Sequence, residues 1–141
     1  VFKNTLIRQL GNKGLDNTQI DQAGKLLFKT KYIGCFAQDK IQWKNGYQII
    51  NTDTSGGKGI HWVGIYITPN TIYVYDSYGR TTKRILPLLA ANAKKHKRKI
   101  VESKNDAEQF DGKYDKEVCG QLSLAWLMVI KTLGVREAIK I

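Results

Sequence analysis

The sequence predicts an α+β fold: a small mixed or antiparallel β-sheet packed against one buried helix, with further helices around it. Three observations carry this expectation. Two apolar, β-branched runs, His61 to Ile67 and Ile72 to Tyr75, flank Thr68-Pro69-Asn70-Thr71 and read as a β-hairpin. A second stretch, beginning at Cys119 and ending near Leu133, is apolar nearly all round, as a helix buried on every side must be. With 141 residues, 42% of them hydrophobic, the chain reads as a single domain, 1–141, that can bury a real core.

From the N-terminus, Phe2, Leu6, Ile7 and Leu10 recur at helical spacing and stop at Gly11 and Gly14. Thr18 precedes Asp21 as a weak capping box for a second helix, whose apolar face is Ile20, Ala23, Leu26 and Leu27. Gly34 to Asn45 reads as irregular, and Gly46 leads into a strand from Tyr47 to Asn51. Asp53 to Gly59, with three glycines, is a loop that delivers the chain to His61. After the hairpin, Ile85, Leu88, Leu89 and Ala93 suggest a helix that starts near Leu86, because Pro87 is tolerated only in a first turn. Lys99 to Glu102 reads as a strand and Ser103 to Lys116 as a polar loop. The helix from Cys119 should end at a Gly134 cap, with a short last helix in Val135 to Ile141.

No run of eighteen apolar residues and no charged-then-apolar start is present, so neither a membrane span nor a signal peptide is expected. Cys35 and Cys119 are too few for a disulfide framework and fit a reducing compartment. The two cysteines and two histidines lack metal-ligand spacing, so no metal and no required cofactor are expected. The Gly-Gly-Lys-Gly run at 56–59 lacks the spacing and the hydroxyl residue of a phosphate loop. The net charge of +11 is densest at Lys94, Lys95, Lys97, Arg98 and Lys99. That run is either a solvated face or a polyanion-binding surface, and His96 within it reads as solvated.

The chemistry starts from the hairpin register. If Thr68 pairs with Thr71, Asp76 lies opposite Val63, and His61 is one diagonal step away, roughly 7–8 Å between backbones. His61, Val63, Ile65, Ile67, Ile72, Val74 and Asp76 then share a face, while Trp62, Gly64, Tyr66, Tyr73 and Tyr75 share the other. A carboxylate beside an imidazole fixes its tautomer and favours its charged form, as a general base requires. The alternative is that both residues are solvated at the sheet rim. Cys119 opens its helix, where unpaired N–H groups and a neighbouring imidazolium favour a thiolate. Its alternative is a small hydrophobe in a core helix.

The order of these residues resembles a known family. Ile50-Asn51-Thr52, Gly56-Gly57, Ile60-His61-Trp62, Asp76-Ser77-Tyr78-Gly79 and Cys119-Gly120 opening an apolar helix resemble the adenovirus maturation protease (adenain) family, as do Gly34-Cys35-Phe36 and Asp39-Lys40. The SUMO-specific proteases look similar too, and the likeness spans about residues 32 to 130. It implies a papain-related fold and a viral thiol protease with a catalytic triad of Cys119, His61 and Asp76. A glutamine upstream of the cysteine serves the family's oxyanion hole. Gln109 stands in that role here, farther from Cys119 than is usual, beside the Cys119 N–H itself. Trp62 and Gly120 would border the substrate cleft.

By the same resemblance, the enzyme would cut capsid or core precursor proteins after small residues, glycine above all, during particle maturation. It would reside in the virion and the infected cell rather than being secreted, as a monomer. DNA, through the basic surface, or a peptide would be a possible activator. The family's peptide activator is tethered through a further cysteine that Ile100 to Glu108 lacks. Two other readings stand beside this one: a ubiquitin-like-protein deconjugase, and a non-catalytic nucleic-acid-binding particle protein on the same fold.

Overall fold

The computed structural model describes residues 2–57, 61–103 and 118–141. Five strands form one mixed sheet whose spatial order follows the chain: β1 (Tyr32–Ala37), β2 (Gly46–Asn51), β3 (Trp62–Ile67), β4 (Thr71–Tyr75) and β5 (Lys99–Glu102). β2, β3 and β4 run antiparallel, while β1 and β5 lie parallel to their neighbours. Around the sheet stand α1 (Phe2–Leu10), α2 (Asn17–Phe28), α3 (Thr82–Ile85), α4 (Pro87–Ala93), α5 (Cys119–Leu133) and α6 (Val135–Ala138). The α+β class expected from the sequence is the class observed.

The hairpin closes where its turn residues dictate: Thr68 N–H donates to Thr71 O at 2.9 Å, and Gly64 faces Tyr75 across the ladder. Alternation then sorts the two faces. Val63, Ile65, Ile67, Ile72 and Val74 join Ile50 on one side and pack against Ile85, Leu86, Leu89 and Ala93 of α3, α4 and their junction. Tyr75, with Trp62, Tyr66 and Tyr73 at its margin, belongs to the opposite core, which α5 dominates. The ring of Trp126 stacks on that of Tyr75 at 5.5 Å.

Nearly the whole of α5 is buried, from Cys119 to Leu127 without a break. It sits directly on β3 because Gly64 has no side chain: a Cβ there would lie 3.2 Å from the Ser123 carbonyl oxygen. Ser123 Oγ donates to Trp62 O at 3.3 Å, which pins the first turns of α5 along the start of β3. The helix stops at Gly134, whose φ of 92° suits glycine and whose N–H donates to Ile130 O at 2.9 Å.

Two local expectations are corrected, and a third, the helix starting near Leu86, is met with an addition. Gly34 to Ala37 is strand, not irregular, because parallel pairing with β2 supplies backbone partners that a stretch without alternation does not announce. The second helix is capped by Asp16 and Gln19 in a reciprocal box rather than by Thr18 and Asp21; Asp21 accepts from the Tyr32 hydroxyl at 2.7 Å instead. A short helix, α3, precedes the Pro87 start of α4, its first turn held by the Glu102 carboxylate accepting from Thr82 N–H.

The basic run forms the turn after α4 and the start of β5. Lys94, Lys95, Lys97 and Lys99 are exposed, whereas Arg98 is half-buried, its Nε donating to Thr68 O at 3.0 Å. The exposed His96 stacks on Trp43, centroids 3.8 Å apart and planes 6° from parallel. No helix among the described residues is long and apolar enough to cross a membrane.

Candidate active site

β3 begins at Trp62 and β4 ends at Tyr75, so His61 and Asp76 leave the sheet side by side at one end of the hairpin. There His61 Nε2 lies 2.5 Å from Asp76 Oδ1. The other ring nitrogen, Nδ1, is thereby left open to a second partner, and the Cys119 thiol lies close enough for thiol and imidazole to shift each other's ionisation. The thiol arrives on the first residue of α5. Trp62 N–H points at its sulfur from 3.5 Å, and the Gly120 N–H also bonds it. Val118, just before the helix, provides no side-chain cap, and the Cys119 N–H has no acceptor within its own helix. Sheet end, hairpin end and helix start thus converge on one acid–imidazole–thiol chain.

All three groups are nearly buried, with 3% of Asp76, 6% of His61 and 9% of Cys119 exposed, so the electrostatics are those of a poorly solvated site. Burial opposes ionisation of the thiol, but the hydrogen bond and charge of His61, with the Trp62 and Gly120 N–H groups, outweigh it and hold Cys119 below its ordinary range. Burial likewise opposes an imidazolium. The bonds to Asp76 and Cys119 win again, and His61 is raised. Asp76, despite burial, is brought down to about 2 by His61 and by Arg80. Opposite shifts on a facing thiol and imidazole favour the charged pair, thiolate and imidazolium.

A pH prediction follows from Asp76. Its folded value lies below the ordinary 3.8, so its stabilisation is complete above that range and is lost as pH falls through about 2. Between pH 4 and pH 2 the unfolding free energy of the wild-type chain, measured by urea titration, should drop by about 2 kcal/mol from this group alone. Asp76→Asn should show a correspondingly shallower fall over that window.

The remaining expected site residues fall in different places. Trp62 stands beside the thiol, with its ring N–H donating to Leu15 O at 2.9 Å, so its indole ties the α1–α2 connection to the site. Gly120 is buried, and a Cβ on it would meet Leu15, Ile20 and Trp62 side chains at 3.4–3.5 Å. These are ordinary van der Waals distances to side-chain atoms, so Gly120 is packed into the core and no close approach of another backbone is seen there. Gln109 lies outside the described residues. Cys35 is a free thiol on β1, like Cys119 unpaired with any other cysteine; burial and then Asp21 push it up to about 12, so it stays protonated. Among the described residues, no three His, Cys, Asp or Glu side chains form a metal-holding group.

Three contributors escape sequence reasoning. Gln121, wholly buried, donates through Nε2 to Gly11 O and Lys13 O, each at 2.8 Å, and so fastens the α1–α2 connection over the start of α5. Tyr78 tilts against the His61 ring at 5.2 Å. Arg80 pairs with Asp76. The signal for the last was Gly79, three residues after Asp76, which marks a tight turn able to bring residue 80 back. Comparison with protein-family models and with curated proteins finds no match to this chain.

Proposed function

We propose that this chain is a cysteine endopeptidase of the viral maturation type, with Cys119 as nucleophile, His61 as general base and Asp76 as the acid that orients it. One observation carries the reading. A thiol at a helix start, an imidazole and a carboxylate from three separated stretches gather in one buried cluster, with His61 Nε2 2.5 Å from Asp76 Oδ1, the Trp62 N–H 3.5 Å from the sulfur, and thiol and imidazole shifting each other's ionisation.

His61 accepts the Cys119 proton, and the thiolate attacks the carbonyl carbon of a peptide bond. The resulting oxyanion takes hydrogen bonds from the Cys119 N–H at the start of α5 and from Gln109, a good donor contributing about 3–4 kcal/mol. Imidazolium then protonates the leaving amine as the C–N bond breaks, leaving a thioester. Water, deprotonated by His61, hydrolyses the thioester and restores the thiol. Asp76 keeps the imidazole in the tautomer that presents Nδ1 to sulfur.

The substrates are capsid or core precursor polypeptides cut after small residues, in the virion or infected cell, and the exposed Lys94, Lys95, Lys97 and Lys99 offer a surface for DNA as activator. The resemblance in motif order supports these finer points.

A thiol-reactive glycyl vinyl sulfone tests the core of the reading. It should modify Cys119 at neutral pH at least tenfold faster than Cys35, as peptide mapping by mass spectrometry would show, and a Gly-Gly junction peptide should be cleaved. A folded protein whose Cys119 stays unmodified overturns the proposal in favour of a non-catalytic particle protein. Cleavage of a SUMO fusion but not of the peptide overturns the substrate assignment.

A further inference from the structure

The turn after β4, Asp76-Ser77-Tyr78-Gly79-Arg80, folds back on itself. Gly79 N–H donates to Asp76 O at 2.8 Å, and Gly79 has a φ of +68°, a conformation in which other residues are strained. The reversal returns Arg80 to the carboxylate four residues earlier. Its backbone N–H and its Nε each donate to Asp76 Oδ2 at 2.9 Å, and Nη2 reaches Oδ1 at 3.3 Å. Oδ1 is the oxygen that faces His61. The guanidinium carbon also lies 4.9 Å over the Tyr78 ring, the same ring that leans on His61. Arg80 therefore touches the acid from one side and backs the aromatic that flanks the base from the other.

We propose that Arg80 is a positioning residue. Its fork fixes the plane of the Asp76 carboxylate toward His61 and offsets part of the negative charge that the imidazole feels. The inference rests on the triad reading above. A carboxylate held only by an imidazole can rotate about its last bond and present either oxygen. One gripped at Oδ2 by two donors and at Oδ1 by a third cannot. The charge has a second effect: a cation shared with the acid disfavours further positive charge nearby and favours negative charge. Among the described residues, the charged and titratable groups against the His61–Cys119 pair are Asp76, which bonds His61, and Tyr78, whose ring leans on it, while Arg80 stands one step behind, in contact with both of these. Removing the Arg80 charge should therefore move both ionisations of the pair in one direction, toward higher pH.

The experiment follows the rate of Cys119 carbamidomethylation by iodoacetamide against pH, quantified by peptide mapping, in the wild type, Arg80→Gln and Arg80→Lys, alongside kcat and KM for the Gly-Gly peptide. Arg80→Gln should move both limbs of the pH dependence upward by about 0.5–1 pH unit. Arg80→Lys keeps the charge but cannot fork, so its limbs should stay in place while kcat falls about tenfold with KM nearly unchanged. Limbs that do not move in a folded Arg80→Gln, or a kcat for Arg80→Lys equal to the wild type's, overturn the proposal. If Arg80→Gln does not fold, the kcat of Arg80→Lys decides alone. The alkylation curve needs no substrate, so the two readings fail separately. An ordinary thiol titration in the wild type sinks the triad itself, whereas a perturbed wild type with unresponsive variants sinks only the role of Arg80.

Discussion

His61→Ala is expected to lower cleavage of the Gly-Gly peptide by on the order of 10⁵-fold, close to the loss from removing the nucleophile, because the members of such a unit do not act independently. Its clearest signature lies in the thiol itself. The largest influence on Cys119 is burial, which opposes ionisation, and the hydrogen bond and charge of His61 are first among what overcomes it. Without the ring, burial remains and the first of its counterweights is gone, leaving only the backbone N–H groups, so Cys119 should rise. Alkylation at pH 7 should then fall by roughly one to two orders of magnitude, following the thiolate fraction. The fold should tolerate the change, since Asp76 keeps both Arg80 donors at Oδ2. A His61→Ala protein that is folded yet alkylated at Cys119 as fast as the wild type would show that the imidazole does not govern the thiol.

Trp126→Ala is expected to cost about 3–5 kcal/mol of unfolding free energy, measured as a fall in the urea midpoint at constant m-value. Trp126 is completely buried in the middle of α5, stacked on Tyr75 of β4, and its Nε1 donates to Ala138 O at 2.9 Å. Truncation removes the ring from the joint between helix and sheet and leaves the Ala138 carbonyl with the Ile141 N–H, at 3.2 Å, in place of two donors. Because α5 carries Cys119 at one end, the loss should also shorten the lifetime of the thiol–imidazole contact, and activity should decline at a lower temperature than in the wild type. A loss below 1 kcal/mol would mean that the sheet and α5 are joined mainly elsewhere.

What the sequence made legible was periodicity and punctuation. Alternation around Thr68-Pro69-Asn70-Thr71 set the hairpin register, and with it the meeting of His61 and Asp76, because a two-residue period leaves one solution once the turn is placed. Gly134 and Pro87 marked an end and a start as backbone chemistry requires. β1 escaped because parallel edge pairing leaves no alternation at Gly34-Cys35-Phe36. Arg80 escaped for a different reason. Its partner is settled by the φ of Gly79, which a string of letters only hints at, and long basic side chains are usually solvated. Gln121 reads as an ordinary polar position on a helix, yet it is wholly buried by bonds to a connection more than a hundred residues earlier.

The contact between Gly64 and Ser123 has a temporal consequence. Imidazole and carboxylate are both present once the hairpin has been synthesised, but the sulfur is translated more than forty residues after the acid and reaches them only when α5 settles onto β3. A growing polypeptide on the ribosome would thus hold two parts of the machinery without the reactive atom. On the proposed reading, the thiol would meet its base only as the α5 layer closes.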